Sequence, residues 1–168
     1  LIDNVAAMFT KDDLVQFIRH DAKQNQIISS EELDELIDLC YNPQDAALIQ
    51  ALREGIKGTS CTELINLKIN DINPIGFIDL YDKDTERVIT VSRKTIRLLI
   101  EAHKQDKYWR NNGESNNKKA PYFYLPKTKY IVKPTGKNNY EQVNDQILRR
   151  RLKVMAEWYG NSFLNITN

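Results

Sequence analysis

A mostly α-helical domain carrying a small antiparallel β-sheet, an α+β arrangement, is what this sequence predicts. Three observations carry that expectation. Capped apolar stretches of helical period fill the first third, two short β-branched runs flank a polar turn in the middle, and a long basic amphipathic stretch lies near the end. The resulting order is helices, a small sheet, a helix, a loop with a strand, and a final helix, which places one minor sheet inside a helical body.

The elements follow in turn. Thr10 opens a helical pattern to Lys23, with Leu14, Phe17 and Ile18 at helical spacing. Ser29 and Glu32 form a capping box, and Leu33, Leu36, Ile37 and Cys40 recur at i, i+3, i+4 and i+7. Asn42-Pro43 restarts the chain as N-cap and first helical residue, and Gly55 and Gly58 bracket the end of the apolar helix that follows. Ser60 with Glu63 again satisfies the S-x-x-E capping pattern. Pro74 and Gly76 make a turn, Ile75–Leu80 and Arg87–Val91 read as strands, and Tyr81–Glu86 connects them, so a hairpin or meander is expected. Ser92 caps a helix whose stripe holds Ile96, Leu99, Ile100 and, at its end, His103, which is expected to be packed rather than catalytic. The polar run from Tyr108 to Pro121 is expected to be a surface loop. Tyr122–Pro126 reads as a short aromatic strand whose Tyr122, Phe123 and Tyr124 belong to the core. The stretch from Tyr140 reads as a long helix with Leu148, Leu152, Met155 and Tyr159 on one face and Gly160 at its end.

Composition excludes several classes. No apolar run approaches the roughly 20 residues of a membrane span, and no signal-peptide pattern opens the chain. The chain begins with Leu1, so a piece of a longer protein is expected, divided into an N-terminal helical segment or linker, 1–28, and a core domain, 29–168. Cys40 and Cys61 read as free buried thiols of a reducing, cytoplasmic setting. His20 and His103 lack Cys or His partners at ligand spacing, so neither a metal nor another cofactor is expected. The sequon Asn165-Ile166-Thr167 is read as chance.

Charge is unevenly spread. Residues 1–54 carry 4 Lys/Arg against 11 Asp/Glu, residues 55–117 carry 10 against 9, and residues 118–168 carry 10 against 3. A gradient from acidic to basic points to an anionic partner at one end. Arg149, Arg150 and Arg151 cannot share a direction, because helical neighbours lie about 100° apart. Arg149 and Lys153, at i and i+4, are the natural pair.

The order of segments resembles the catalytic domain of tyrosine recombinases, the phage integrases. Gly58, Thr62, Glu63, Leu64, Leu67, Asp71 and Ile72 match that family's G-L-R-x-S-E-L-x-x-L-x-W-x-D-I box. The stretch from Ile78 to Ser92 is similar to its hairpin, K-x-x-x-E-R-x-[VI]-P-[LI]. Tyr122–Leu125 resembles a later Y-L-F strand, and Ile147–Gly160 the helix before the second catalytic box. The resemblance spans roughly residues 29 to 168 and extends to the integrase-like repressors of SPβ-type Bacillus phages.

It implies a chemistry and tests it. In the family a tyrosine attacks a DNA phosphodiester, arginine forks hold the phosphate, and a hairpin lysine protonates the leaving hydroxyl. The first arginine's place is held here by Ser60, which is neutral and short. Lys57 lies nearby without the fork geometry, and Lys83 stands one residue closer to Arg87 than the family pattern has it. No H-x-x-R occurs: His20 is followed at +3 by Lys23 and His103 by Asp106. The second box and the tyrosine are expected beyond Asn168, and self-association through that missing C-terminal part is a further expectation. No catalytic residue is therefore assigned, Ser60 and Lys83 being degenerate positions. The expected partner is double-stranded DNA in a bacterial host, met by Lys57, Lys83, Arg93, Lys94, Arg97, Lys127, Lys129, Arg149, Arg150 and Lys153. The expected role is a non-cutting regulator, with a divergent recombinase or a protein-interaction module as alternatives.

Overall fold

In the computed structural model, residues 29–113, 122–124, 127–135 and 141–167 are described, with side chains to residue 158. The helix expected at 10–23, with His20, lies outside them, as do the side chains of Tyr159 and of the sequon at Asn165.

The first described helix, α1 (Ser30–Leu39), opens on the expected capping box: Ser29 accepts from the Glu32 amide and Glu32 accepts from the Ser29 amide. Its Leu33, Leu36 and Ile37 are buried. The next helix, α2 (Pro43–Arg53), is buried along nearly its whole length and forms the spine of the core. Asn42 is its N-cap, but the side chain does not cap. It donates instead to the Trp109 carbonyl at 2.8 Å and accepts from the Trp109 amide at 2.8 Å, fastening a segment 67 residues away. At the other end Ile56 N–H donates to Ala51 O and Gly55 N–H to Leu52 O. This is the Schellman closure, with Gly55 at φ +83° and Ile56 fully buried.

A short helix, α3 (Thr62–Ile65), leads to the sheet of β1 (Ile72–Asn73), β2 (Phe77–Tyr81) and β3 (Glu86–Thr90), ordered β1-β2-β3 and antiparallel throughout. Ile78 pairs with both Ile72 and Ile89, and Tyr81 with Glu86. The second strand begins two residues later than its β-branched run suggests. Ile75 N–H donates to the Asn73 side chain and Gly76 N–H to Asn73 O, so Ile75 sits in the turn, 82 % exposed.

Ser92 caps α4 (Arg93–Lys104), accepting from the Thr95 amide. This helix packs along α2. His103 is half-buried, with Nε2 2.8 Å from Thr128 O.

The polar run after α4 is not simply a surface loop: β4 (Lys107–Tyr108) pairs antiparallel with β5 (Tyr122–Phe123), and Tyr108 is buried. Of the three aromatics at β5 only Tyr124 lies in the core, while Phe123 points outward, 55 % exposed. Strand alternation explains Phe123, since neighbours face opposite sides, while Tyr122 shares the side of Tyr124 and is half-buried. The last helix, α5 (Asp145–Thr167), runs through Gly160 rather than ending there. A helix-interior glycine costs only about 1 kcal/mol relative to alanine, which the remaining turns tolerate. Leu148, Leu152 and Met155 bury its inner face. Cys40 is half-buried, its thiol donating to Leu36 O at 3.3 Å, and Cys61 is fully buried.

Candidate nucleic-acid interface

The segment Gly55–Lys68 passes from the closure of α2, through one tight turn, into α3. At the turn Gly58 adopts φ +66°, ψ −165°, a region open in practice only to glycine. Its surroundings are as restrictive as its backbone. A Cβ there would meet Glu63 Cγ at 2.7 Å and Asp82 Oδ2 at 2.9 Å. Gly58→Ala is therefore expected to lower stability by about 2–3 kcal/mol, read by urea unfolding, with the hairpin displaced from the turn.

Ser60 does not cap α3. It lies within a 3-10 turn, Thr59–Cys61, in the left-handed conformation at φ +53°, followed by Cys61 at φ +61°, and no side chain caps α3. The S-x-x-E pattern fails because its glutamate is used elsewhere. Buried Glu63 takes two bonds from Arg87 of β3, Nε to Oε2 at 2.8 Å and Nη2 to Oε1 at 2.9 Å, plus the Lys57 amide at 3.2 Å. Arg87 also donates to Gly55 O at 2.8 Å. One guanidinium thus joins the end of α2, the start of α3 and the hairpin, and its bonds to Glu63 hold it more firmly in the charged form.

The hairpin tip closes over the same turn. Asp82 Oδ2 accepts from the Thr59 amide at 2.9 Å and Oδ1 from the Lys83 amide at 2.7 Å. The Thr59 amide bond is the main reason the Asp82 carboxyl lies below its usual range. Lys83 is exposed on this tip. Lys57 is 8 % exposed and bonds through its backbone to Glu63 in both directions.

Other basic segments converge on α3. Ile69 N–H donates to Lys129 O at 2.8 Å, and Ile131 N–H to Leu67 O at 2.9 Å. Gln142, just before α5, donates to Ile65 O at 3.1 Å and to Asn66 Oδ1 at 2.7 Å. Asn66 in turn donates to Tyr81 O at 3.3 Å. The segments bearing Lys83, Lys127, Lys129 and the start of α5 are therefore fixed around one short helix, with both lysines of the 127–129 stretch exposed. Arg149, Arg150 and Lys153 are exposed on α5, whereas Arg151 turns inward, as helical spacing requires. The α4 cations are differently placed. Lys94 pairs with Asp34 at 3.1 Å and Arg97 with Glu101 at 3.3 Å, while Arg93 is exposed. Arg53 holds Asp34 from the other side, and these two cations, Arg53 foremost, keep its carboxyl below the usual range.

Sequence reasoning missed Glu63, Asp82 and Arg87 as the frame of this turn. Their partners lie 23 to 32 residues apart, beyond any local pattern. No group of His, Cys, Asp and Glu able to hold a metal occurs among the described residues, and no described helix is long and apolar enough to cross a membrane.

This architecture is a recombinase catalytic-domain fold. It superposes on the crystal structure of XerA recombinase with a TM-score of 0.50 at 15 % identity, over 82 % of this chain and 44 % of that one. The chain belongs to the MrpR family, by its match over residues 27–168 to the MrpR C-terminal catalytic domain. It is 24 % identical over 170 residues to the SPbeta prophage-derived uncharacterized protein YopR of Bacillus subtilis strain 168, covering 97 % of this chain and 51 % of that protein. The chain thus spans about half the length of that curated relative.

Proposed function

We propose that this domain belongs to a phage or prophage regulator that binds duplex DNA without cutting it. The observation that carries the reading is Ser60. It stands where the recombinase box has its phosphate-gripping arginine, at a turn that Asp82 and Gly58 hold in place. The scaffold of the site is kept while the fork that would stabilise a pentacovalent phosphate is replaced by a neutral hydroxyl. The prophage origin of YopR supports the phage assignment.

Lys83, Lys127 and Lys129 around α3, with Arg149, Arg150 and Lys153 along α5, would supply phosphate contacts. Arg93 and Arg97 extend them from α4, and Lys57 and Lys94 would reach phosphate only by leaving their present surroundings. If six to eight phosphates are neutralised, affinity should fall by roughly three to four powers of ten between 50 and 200 mM salt. A titration of the full-length protein on duplex DNA at the two concentrations checks this, and salt-independent affinity would count against it.

A second reading, a divergent recombinase, is favoured by the family's description as a catalytic domain. A suicide substrate separates the two. The regulator leaves no covalent protein–DNA adduct, and a robust tyrosyl adduct would establish the recombinase.

A further inference from the structure

Residues 147–158 of α5 and the β4–β5 ribbon line a partly open cavity of about 590 Å³, within the range of small-molecule sites. Its walls combine planar rings with cations: Tyr122, Tyr124 and Trp158 with Arg110, Arg150 and Arg151. The rings are ordered against one another. Tyr108 stacks on Trp158 at 28° and 6.3 Å between centroids, and meets Tyr124 edge-on at 5.8 Å. The Arg110 guanidinium lies 3.9 Å over the Tyr122 ring. Arg151 is held by Gln44 Oε1 at 3.3 Å and Lys133 O at 3.1 Å, with its guanidinium facing Tyr124 at 5.7 Å.

Two polar atoms at this cavity are buried and have no hydrogen-bond partner among the described residues. They are the hydroxyl of Tyr124, a residue only 2 % exposed, and the Nε of Arg110. Such groups are costly to leave unmatched in a folded protein, and an ordered water or a ligand ordinarily satisfies them. Three arginines against one carboxylate, Glu157, give the lining a positive balance, which favours an anionic guest. The arginine forks suit a phosphate, and the flanking tyrosine and tryptophan faces suit a planar ring attached to it.

We propose that this cavity is a binding site for a free mononucleotide, a phosphate and a base presented together. The inference shares only Arg150 with the proposed DNA contacts and is tested without duplex DNA. Isothermal titration of the intact protein would use AMP and GMP, with adenosine and ribose 5-phosphate as the separate halves and a short single-stranded oligonucleotide as a control. At least one mononucleotide is expected to bind in the micromolar range, each half at least tenfold more weakly. Tyr124→Phe removes only the unpartnered hydroxyl, so it leaves the fold intact or firmer while weakening the nucleotide by up to tenfold. Arg150→Ala, at an exposed position, is expected to weaken it by tenfold or more. Three results would overturn the proposal: no nucleotide binding at millimolar concentration, affinity unchanged in both variants, or binding of the oligonucleotide alone.

Discussion

Arg87→Ala is expected to destabilise the protein by about 3 kcal/mol, as measured by urea denaturation. The reason is asymmetry of burial. Glu63's side chain is 6 % exposed while Arg87's is 49 % exposed, so removing the arginine strands a carboxylate that water barely reaches. Breaking such a pair from the exposed side costs more than the pair contributes when intact, and the half-exposure of Arg87 keeps the figure at the lower end of the usual range. The Lys57 amide still reaches Glu63 Oε1, but one neutral donor does not replace a bidentate fork. A double-mutant cycle isolates the effect. In a Glu63→Gln background the buried charge is gone, and Arg87→Ala should then cost only about 1 kcal/mol. Equal costs in both backgrounds would show that Arg87 acts through packing and its bond to Gly55 O rather than through the charge of Glu63. Arg87 also ties Gly55 and the hairpin to α3, so the Ser60 turn should loosen with it, and DNA affinity should fall in parallel with stability.

The local physics of this chain was largely readable and the long-range physics was not. The Ser29–Glu32 box, the glycine closure of α2, the Ser92 cap and the hairpin rest on interactions within a few residues, and each appears where its pattern puts it. The recombinase fold itself was readable from the order of degenerate segments. The two side-chain caps that do not form share one cause. Ser60 and Glu63 have the spacing of a capping box, yet Arg87, 24 residues on, takes the glutamate, and two successive left-handed residues tighten the turn. Asn42 has the identity of a side-chain cap, yet its amide serves Trp109. In both cases a distant partner with a stronger or more buried demand outcompetes the neighbouring amide. The aromatic cavity was invisible for a related reason, because its members come from four segments joined only by folding.

Gln44→Leu is expected to cost about 3 kcal/mol or more, although leucine is similar in size and a good helix former. In sequence Gln44 is an unremarked polar residue one place into α2. In the structure it is 1 % exposed and every polar atom of its side chain is engaged. Its Nε2 donates to Ala102 O at 2.7 Å and to Ile131 O at 2.6 Å, and its Oε1 accepts from the Lys133 amide at 3.2 Å and from Arg151 at 3.3 Å. One amide thus joins α2 to the end of α4, the 131–133 segment and α5. Leucine would leave the buried Lys133 amide and Ile131 carbonyl without these partners, each at about 1–3 kcal/mol, while Ala102 O keeps the Gln105 amide. Lys133 tightens the same knot: its buried Nζ reaches His103 O at 2.7 Å and also Gln105 O, and burial draws its ammonium down to about 8. Gln44→Glu separates hydrogen bonding from size. The carboxylate keeps acceptors for Lys133 and Arg151 but turns an oxygen toward two carbonyl oxygens, so it too should destabilise by more than 1 kcal/mol. If both variants unfold at the wild-type urea midpoint, Gln44 is a passenger. If both fall, the amide organises the junction, and because Arg151 is one of its partners, nucleotide affinity at the aromatic cavity should fall with them.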